Sequence, residues 1–279
     1  MEAHLHTWLS LLLRWTHLIA GIAWIGASFY FNWLENHLQR HNQPDDTAGD
    51  LWAIHGGGFY YLKKFAVAPG ELPPALHWFK WEAYATWISG MALLVVVFYW
   101  NAQAYMLNPA VPDITPAAAI GIGILSLLVS WIVYDTLCNS GLSRHEGLLA
   151  LLIFAWFLLT AWTLTAWLSG RAAYLHIGAA IGTVMVANVF RVIIPCQQDL
   201  VDAVTEKRPP DPGKARKALQ RSRHNNYFTL PVLFIMISSH YPASYGHRYN
   251  WLVLAVFSIA AVAIRHYFNI RHLPGSRPV

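Results

Sequence analysis

An all-α, polytopic transmembrane bundle of about seven spans is the fold class this sequence predicts, and three observations predict it. Of 279 residues, 56% are hydrophobic and only 12% charged, where a soluble domain carries about a quarter charged. The charges are also segregated: long stretches hold none and short connectors hold many, as expected where lipid replaces water as solvent. Fourteen Trp and thirteen Tyr suit the two membrane interfaces, where amphipathic rings collect. A water-soluble globule is excluded. Two Cys and no C-x-x-C-H exclude a disulfide scaffold and a covalently attached c-type haem.

Each span follows from an apolar run near or above the roughly 20 residues that cross hydrocarbon as a helix. The first, 7–34, is too long for a signal h-region and lacks a basic lead, so it is expected to stay as a span. Connector 35–82 holds His55-Gly56-Gly57-Gly58-Phe59, three Gly that permit an anion-binding backbone nest or a tight turn, and a Pro-rich turn at 69–74. Runs 83–105, 117–137, 147–169 and 172–195 give the next four spans. Connector 196–223 starts helical and acidic, passes the breaker Pro209-Pro210-Asp211-Pro212-Gly213 and ends basic. Run 227–241 is short, contains Pro231 and is expected to reach back to His224, with Asn225 and Asn226 at the interface. Run 249–268 is the seventh.

Fourteen Lys and Arg fall on one side of this arrangement and two, Arg171 and Arg248, on the other. The positive-inside rule then puts the N-terminus outside and the C-terminus inside. Cys138 and Cys196 both fall on the inner side, where thiols stay reduced. The chain reads as one integral-membrane domain over 1–279, with a lipid bilayer as its environment and no nucleic-acid partner.

Ionisable residues inside spans are costly and mark function. Arg14 is explained by snorkelling. His17 shares a face with Gly21, Trp24 and Ser28, and His176 with Ala180, Thr183, Ala187 and Arg191. His240 closes the sixth span. Three outer histidines on different helices have the chemistry of axial ligands to a b-type haem, although copper or non-haem iron would accept them too. Each could instead hydrogen-bond a neighbouring helix. The inner half gathers Glu82, Asp135, Asn188, Arg191, His224, Asn225, Asn226, Arg265 and His266. A forked guanidinium with amides suits a planar anion; an interhelical salt-bridge network of Arg191, Asp135 and Arg265 is the competing reading.

The motifs R-W-T-H-L-I-A-G-I-A-W-I-G-A-S-F-Y-F at 14–31, H-G-G-G-F-Y at 55–60, W-F-K-W-E-A-Y at 78–84, V-A-N-V-F at 186–190, H-N-N-Y-F-T-L-P-V at 224–232, S-H-Y-P at 239–242 and R-H-Y-F-N-I-R-H at 265–272 follow in order over nearly the whole chain. Together they resemble the membrane domain of the bacterial cytochrome c-linked urate oxidase family. The resemblance implies residence in the bacterial inner membrane and a place in purine degradation. Urate would be oxidised to 5-hydroxyisourate, its electrons leaving through a cytochrome c. The family's usual architecture adds a further span and a C-terminal c-type cytochrome, neither seen here, so the acceptor is expected on a separate chain or a missing domain.

Residues and resemblance meet in one expected mechanism. Arg191 or Arg265 holds the urate anion while Asn188, Asn225 and Asn226 read the ring edge. Asp135, Glu82, His224 or His266 acts as general base, and electrons pass outward near His17, His176 and His240. Two other classes are compatible with parts of the pattern. A transporter of an anionic metabolite would use the inner Arg and Asn but not the histidines, and a non-catalytic b-type cytochrome would use the histidines alone.

Overall fold

Small side chains decide where the helices meet. Ala172, Ala173, Gly178 and Ala180 leave little bulk on one helix, and in the computed structural model, which describes residues 2–270, that helix is the axis of the bundle. The chain order is α1 (Glu2–His37), a hairpin of β1 (Thr47–His55) and β2 (Gly58–Phe65), α2 (Trp81–Leu93), α3 (Ala102–Tyr105), α4 (Pro116–Asn139) and α5 (Glu146–Trp167). Then come α6 (Gly170–Ala187), α7 (Ile194–Thr205), α8 (Pro212–Ser238), α9 (Pro242–Tyr245) and α10 (Asn250–Ile270). Six helical stretches are long and apolar enough to cross a membrane: His4–His37, Trp81–Tyr99, Pro116–Asn139, Glu146–Trp167, Gly170–Thr205 and Asn250–Ile270. The seventh expected span is the second half of α8, whose first half is too basic to share that character.

α6 is buried on most of its circumference and packs against α2, α4, α5 and α8. At Gly178 an added Cβ would stand 2.8 Å from Met236 Cε, and at Gly170 2.2 Å from the Tyr245 carbonyl oxygen, so α8 side chains and the α9 backbone fill the space these glycines leave. Tyr174, fully buried, donates its hydroxyl to the Asn250 carbonyl and ties α6 to the start of α10. α1 lies at the periphery, bound chiefly to α2, and turns Leu11, Trp15, Leu18 and Ile22 outward. That is the inversion expected when lipid is the solvent.

Three features differ from the sequence expectation. The connector after α1 contains an antiparallel hairpin, so the all-α bundle carries one small sheet. Its two-residue turn places Gly56 at φ 58° and Gly57 at φ 80°, the mirror-image turn that suits strand twist and favours Gly at both positions. Second, the fifth span does not stop at Pro195. It widens into a π-helical turn, Asn188–Ile193, and continues as α7; a wide turn just before Pro195 absorbs the ladder bond that an imino nitrogen cannot make. α2 likewise passes into a π-helical turn, Leu94–Tyr99. Third, α8 starts at Pro212, capped by Asp211 accepting from the Gly213 amide at 2.7 Å, which moves Arg221 from a presumed loop into a helix. The expected inner C-terminus and His272 lie outside the described residues.

Gly123 on α4 faces the His176 ring, and a Cβ there would stand 2.3 Å from Nε2. Gly123→Ala should therefore cost about 1–3 kcal/mol, read as a lowered Tm in detergent. Gly121→Ala, in open space, should leave Tm unchanged.

Candidate functional site

The end of the bundle where Lys and Arg collect holds two polar centres, back to back on α8. The first lies between α4, the π-helical turn after α6, and α8. Arg221, wholly buried, donates Nη2 to Asp135 Oδ1 at 2.7 Å and sets its guanidinium 5.0 Å from the Tyr134 ring centroid. Nη1 lies 3.5 Å from Asn188 Oδ1. Asn188 Nδ2 uses both hydrogens, one to the Tyr134 hydroxyl at 2.9 Å and one to Asn225 Oδ1 at 2.9 Å. The Tyr134 hydroxyl also shares a hydrogen bond with His224 Nδ1 at 2.8 Å, its direction set by the imidazole tautomer. Asn225 Nδ2 ends the chain on the Met185 carbonyl at 2.9 Å. Cys138 Sγ lies 3.7 Å from the same His224 nitrogen.

The second centre lies between α1, α8 and α10. Asn226 Oδ1 accepts from Arg265 Nε at 2.9 Å and from Asn269 Nδ2 at 3.0 Å. The Arg265 guanidinium sits 4.2 Å from the centroid of Phe29 and is 6% exposed. This centre is less complete than the first, where Arg221 Nε is buried without a partner. Arg265 Nη2 and Asn269 Oδ1 are buried without a hydrogen-bond partner, and Arg265 has no carboxylate partner among the described residues. A buried cation next to an unused acceptor has the chemistry to take an anion that also carries N–H groups. Glu82, in the first turn of α2, also buries Oε2 without a partner.

The outer histidines are dispersed. His17 Nδ1 donates to the Thr86 carbonyl at 2.9 Å, with Ser89 Oγ at 3.2 Å, so its Nε2 keeps a lone pair. His176 donates Nδ1 to the Ala172 carbonyl at 2.8 Å, while Nε2 accepts from Tyr99 at 3.0 Å. His240 is exposed at the end of α8. Among the described residues no three of His, Cys, Asp and Glu are grouped to hold a metal. As a set, His17, His176 and His240 do not fit a haem or metal in this arrangement, because His176 has neither nitrogen free and Gly123 closes on its ring.

A family model described as Urate oxidase N-terminal matches residues 3–278. The chain belongs to the urate oxidase N-terminal family. A comparison with curated proteins and one with solved structures find no match. Membership in the urate oxidase N-terminal family makes the protein an oxidoreductase of urate-related oxidation. Of the residues singled out in the sequence, the fold of this family member brings Asp135, Asn188, His224 and Asn225 into one centre and Asn226 with Arg265 into the other. Arg191 joins neither and is exposed. His266, also exposed, shares a hydrogen bond with the Tyr227 hydroxyl at 2.8 Å. The ion pair expected for Asp135 with Arg191 or Arg265 is made with Arg221. Its spacing of four from Asn225 on one helix would have shown this, had α8 been extended back to Pro212. Tyr134 gave no signal beyond adjacency to Asp135, and Phe29 none beyond lying in a motif.

Asp135→Asn should leave the Arg221 guanidinium buried and unpaired and cost about 3 kcal/mol, measured by chemical unfolding in detergent. Arg191→Ala should stay within about 0.5 kcal/mol.

Proposed function

We propose that the protein oxidises urate to 5-hydroxyisourate at the Arg265, Asn226 and Asn269 centre and passes the electrons to a cytochrome c, not to oxygen. The observation that carries the substrate assignment is the buried Arg265 guanidinium, which among the described residues has no carboxylate partner and leaves Nη2 without a hydrogen bond. Urate at neutral pH is a planar monoanion edged with N–H and C=O groups. Its charge meets Nη2, a ring N–H meets Asn269 Oδ1, and its plane continues the stack that Arg265 makes on Phe29. Family membership supports urate as the substrate.

The reaction adds one water oxygen to the ring carbon and releases two protons and two electrons. A base must take a proton from water or urate as the new C–O bond forms. Glu82 is best suited, since its Oε2 is buried and unengaged. Asp135 is committed to Arg221, His224 Nδ1 is engaged by the Tyr134 hydroxyl, and His266 lies on the exposed side of α10. Asn188 and Asn225 are fully occupied in the first centre and act by fixing α8, so that Asn226 stays opposite α10. Two cytochromes c, each taking one electron, balance the reaction without peroxide. We place this chemistry in the bacterial inner membrane, with the basic end facing the cytoplasm.

The test is anaerobic turnover of detergent-purified protein with urate and ferricytochrome c. Two cytochromes reduced per urate consumed is the expected result. Arg265→Lys should raise KM about tenfold through loss of one charge-assisted bond, and Glu82→Gln should lower kcat about 10²-fold or more with KM unchanged. Wild-type KM in Arg265→Ala would overturn the substrate seat. Urate uptake into vesicles without oxidation would make the protein a transporter.

A further inference from the structure

The hairpin after α1 has a surface that the urate reading does not use. Cross-strand partners share a face, so one face carries Asp50 opposite Lys63, then Trp52 opposite Tyr61, then Ile54 opposite Phe59 at the tip. Polarity falls steadily along it: an acid and a base, two amphipathic rings, then two apolar side chains. The apolar end is the most exposed, with Ile54 67% and Phe59 77% accessible. Aromatic and branched side chains at the tip of a tight turn are costly in water, by about 25 cal/mol for each Å², and unusual for a loop.

The root of the hairpin is fixed. Glu35, in the last turn of α1, accepts from Arg40 at 2.8 Å and pairs with Lys64, and Gln39 and Asp50 exchange backbone bonds at 2.8 and 3.1 Å. Gly49, at φ 149°, would put a Cβ 2.9 Å from the Gln39 carbonyl oxygen. The end of α1 and the start of α2 also carry exposed aromatics of the kind that mark a membrane interface: Tyr30, Phe31 and Trp33 on α1, Phe79 and Trp81 before and in α2. The Phe31 and Phe79 rings meet edge to face at 4.8 Å. The hairpin is thus tied to the interfacial end of α1, while residues 66–80 separate it from α2.

We propose that the hairpin lies in the bilayer surface, Ile54 and Phe59 entering the acyl boundary, Trp52 and Tyr61 at headgroup level, and Asp50 with Lys63 in water. The occupant of this face is lipid, because its polarity follows the order of layers in a bilayer and its root continues the lipid-facing belt of α1 and α2. The attraction is apolar and not electrostatic. The cations at the hairpin root are all paired: Lys63 with Asp46 at 3.7 Å, and Lys64 and Arg40 together with Glu35. Insertion is therefore indifferent to lipid charge. The His55-Gly56-Gly57-Gly58 segment serves as the tight turn at the inserted end and not as an anion nest.

The experiment places a nitroxide at position 59 through a ketone-bearing unnatural amino acid, which leaves both native cysteines in place, with the full chain in phosphatidylcholine nanodiscs. Collision with oxygen, which concentrates in lipid, is compared with collision with a water-soluble nickel chelate. The oxygen-to-nickel ratio at 59 should approach that at the lipid-facing position 22 and exceed several-fold that at 42, in the exposed loop before β1. A label at 60, on the opposite face beside Ala53, should report a lower ratio than one at 59. Adding phosphatidylglycerol should change none of these values. Nickel access at 59 equal to that at 42 would overturn the proposal in favour of a hairpin in water. A label shielded from both reagents would overturn it in favour of a protein occupant, such as a second copy of this chain. Urate turnover does not enter the readout, so failure of the urate reading leaves this test intact.

Discussion

An ion pair between a buried Arg221 and a partly exposed Asp135 sets the geometry of the basic end. Arg221 is withdrawn from solvent entirely, and such a charge is tolerated only when a partner and hydrogen bonds replace its water. Asp135 supplies the charge, Tyr134 the ring face and Asn188 an amide oxygen. Because these come from α4 and the π-helical turn after α6, satisfying one guanidinium fixes three elements at once. The remaining amide hydrogens then find their acceptors, from Asn188 to Tyr134 and Asn225 and from Asn225 to the Met185 carbonyl. Everything on the other side of α8 is positioned from this lock.

The contrast between the two centres is one of completeness. The first satisfies nearly every donor it buries, with Arg221 Nε the exception; the second leaves a cation without an anion. Networks of the first kind specify structure, whereas unfilled ones invite a ligand. The same logic separates the histidines. His176, bonded at both nitrogens and pressed by Gly123, belongs to packing, whereas His17 keeps one nitrogen lone pair.

Much of this was legible in the sequence, and the parts that were not share a cause. Apolar runs and segregated charge announce spans because the bilayer imposes length and composition directly. The inner polar cluster was legible for the same reason, since intramembrane Asn, Asp and Arg are costly without a purpose. What escaped depended on backbone events that composition does not mark. The π-helical turn before Pro195 rotates everything after Asn188, which turned Arg191 outward although a regular helix aligns it with His176. The cap at Asp211 extended α8 backwards and brought Arg221 into the membrane domain from what reads as a topogenic charge run. The hairpin escaped because four charged residues, Asp50, Lys63, Lys64 and the preceding Asp46, gave its strands the composition of a connector.

Asn225 and Asn226 are consecutive residues of one helix, and they serve opposite walls. About 100° of helical arc separates them, so α8 works as a shared hub and neither amide can shift without displacing the other. Thermodynamic linkage then runs both ways. A ligand that tightens the Asn226 seat must also tighten the Arg221 lock, and weakening the lock loosens the seat by the same free energy. Substitutions in the two centres will therefore be non-additive although they share no contact, and occupancy of one will be readable as amide protection in the other.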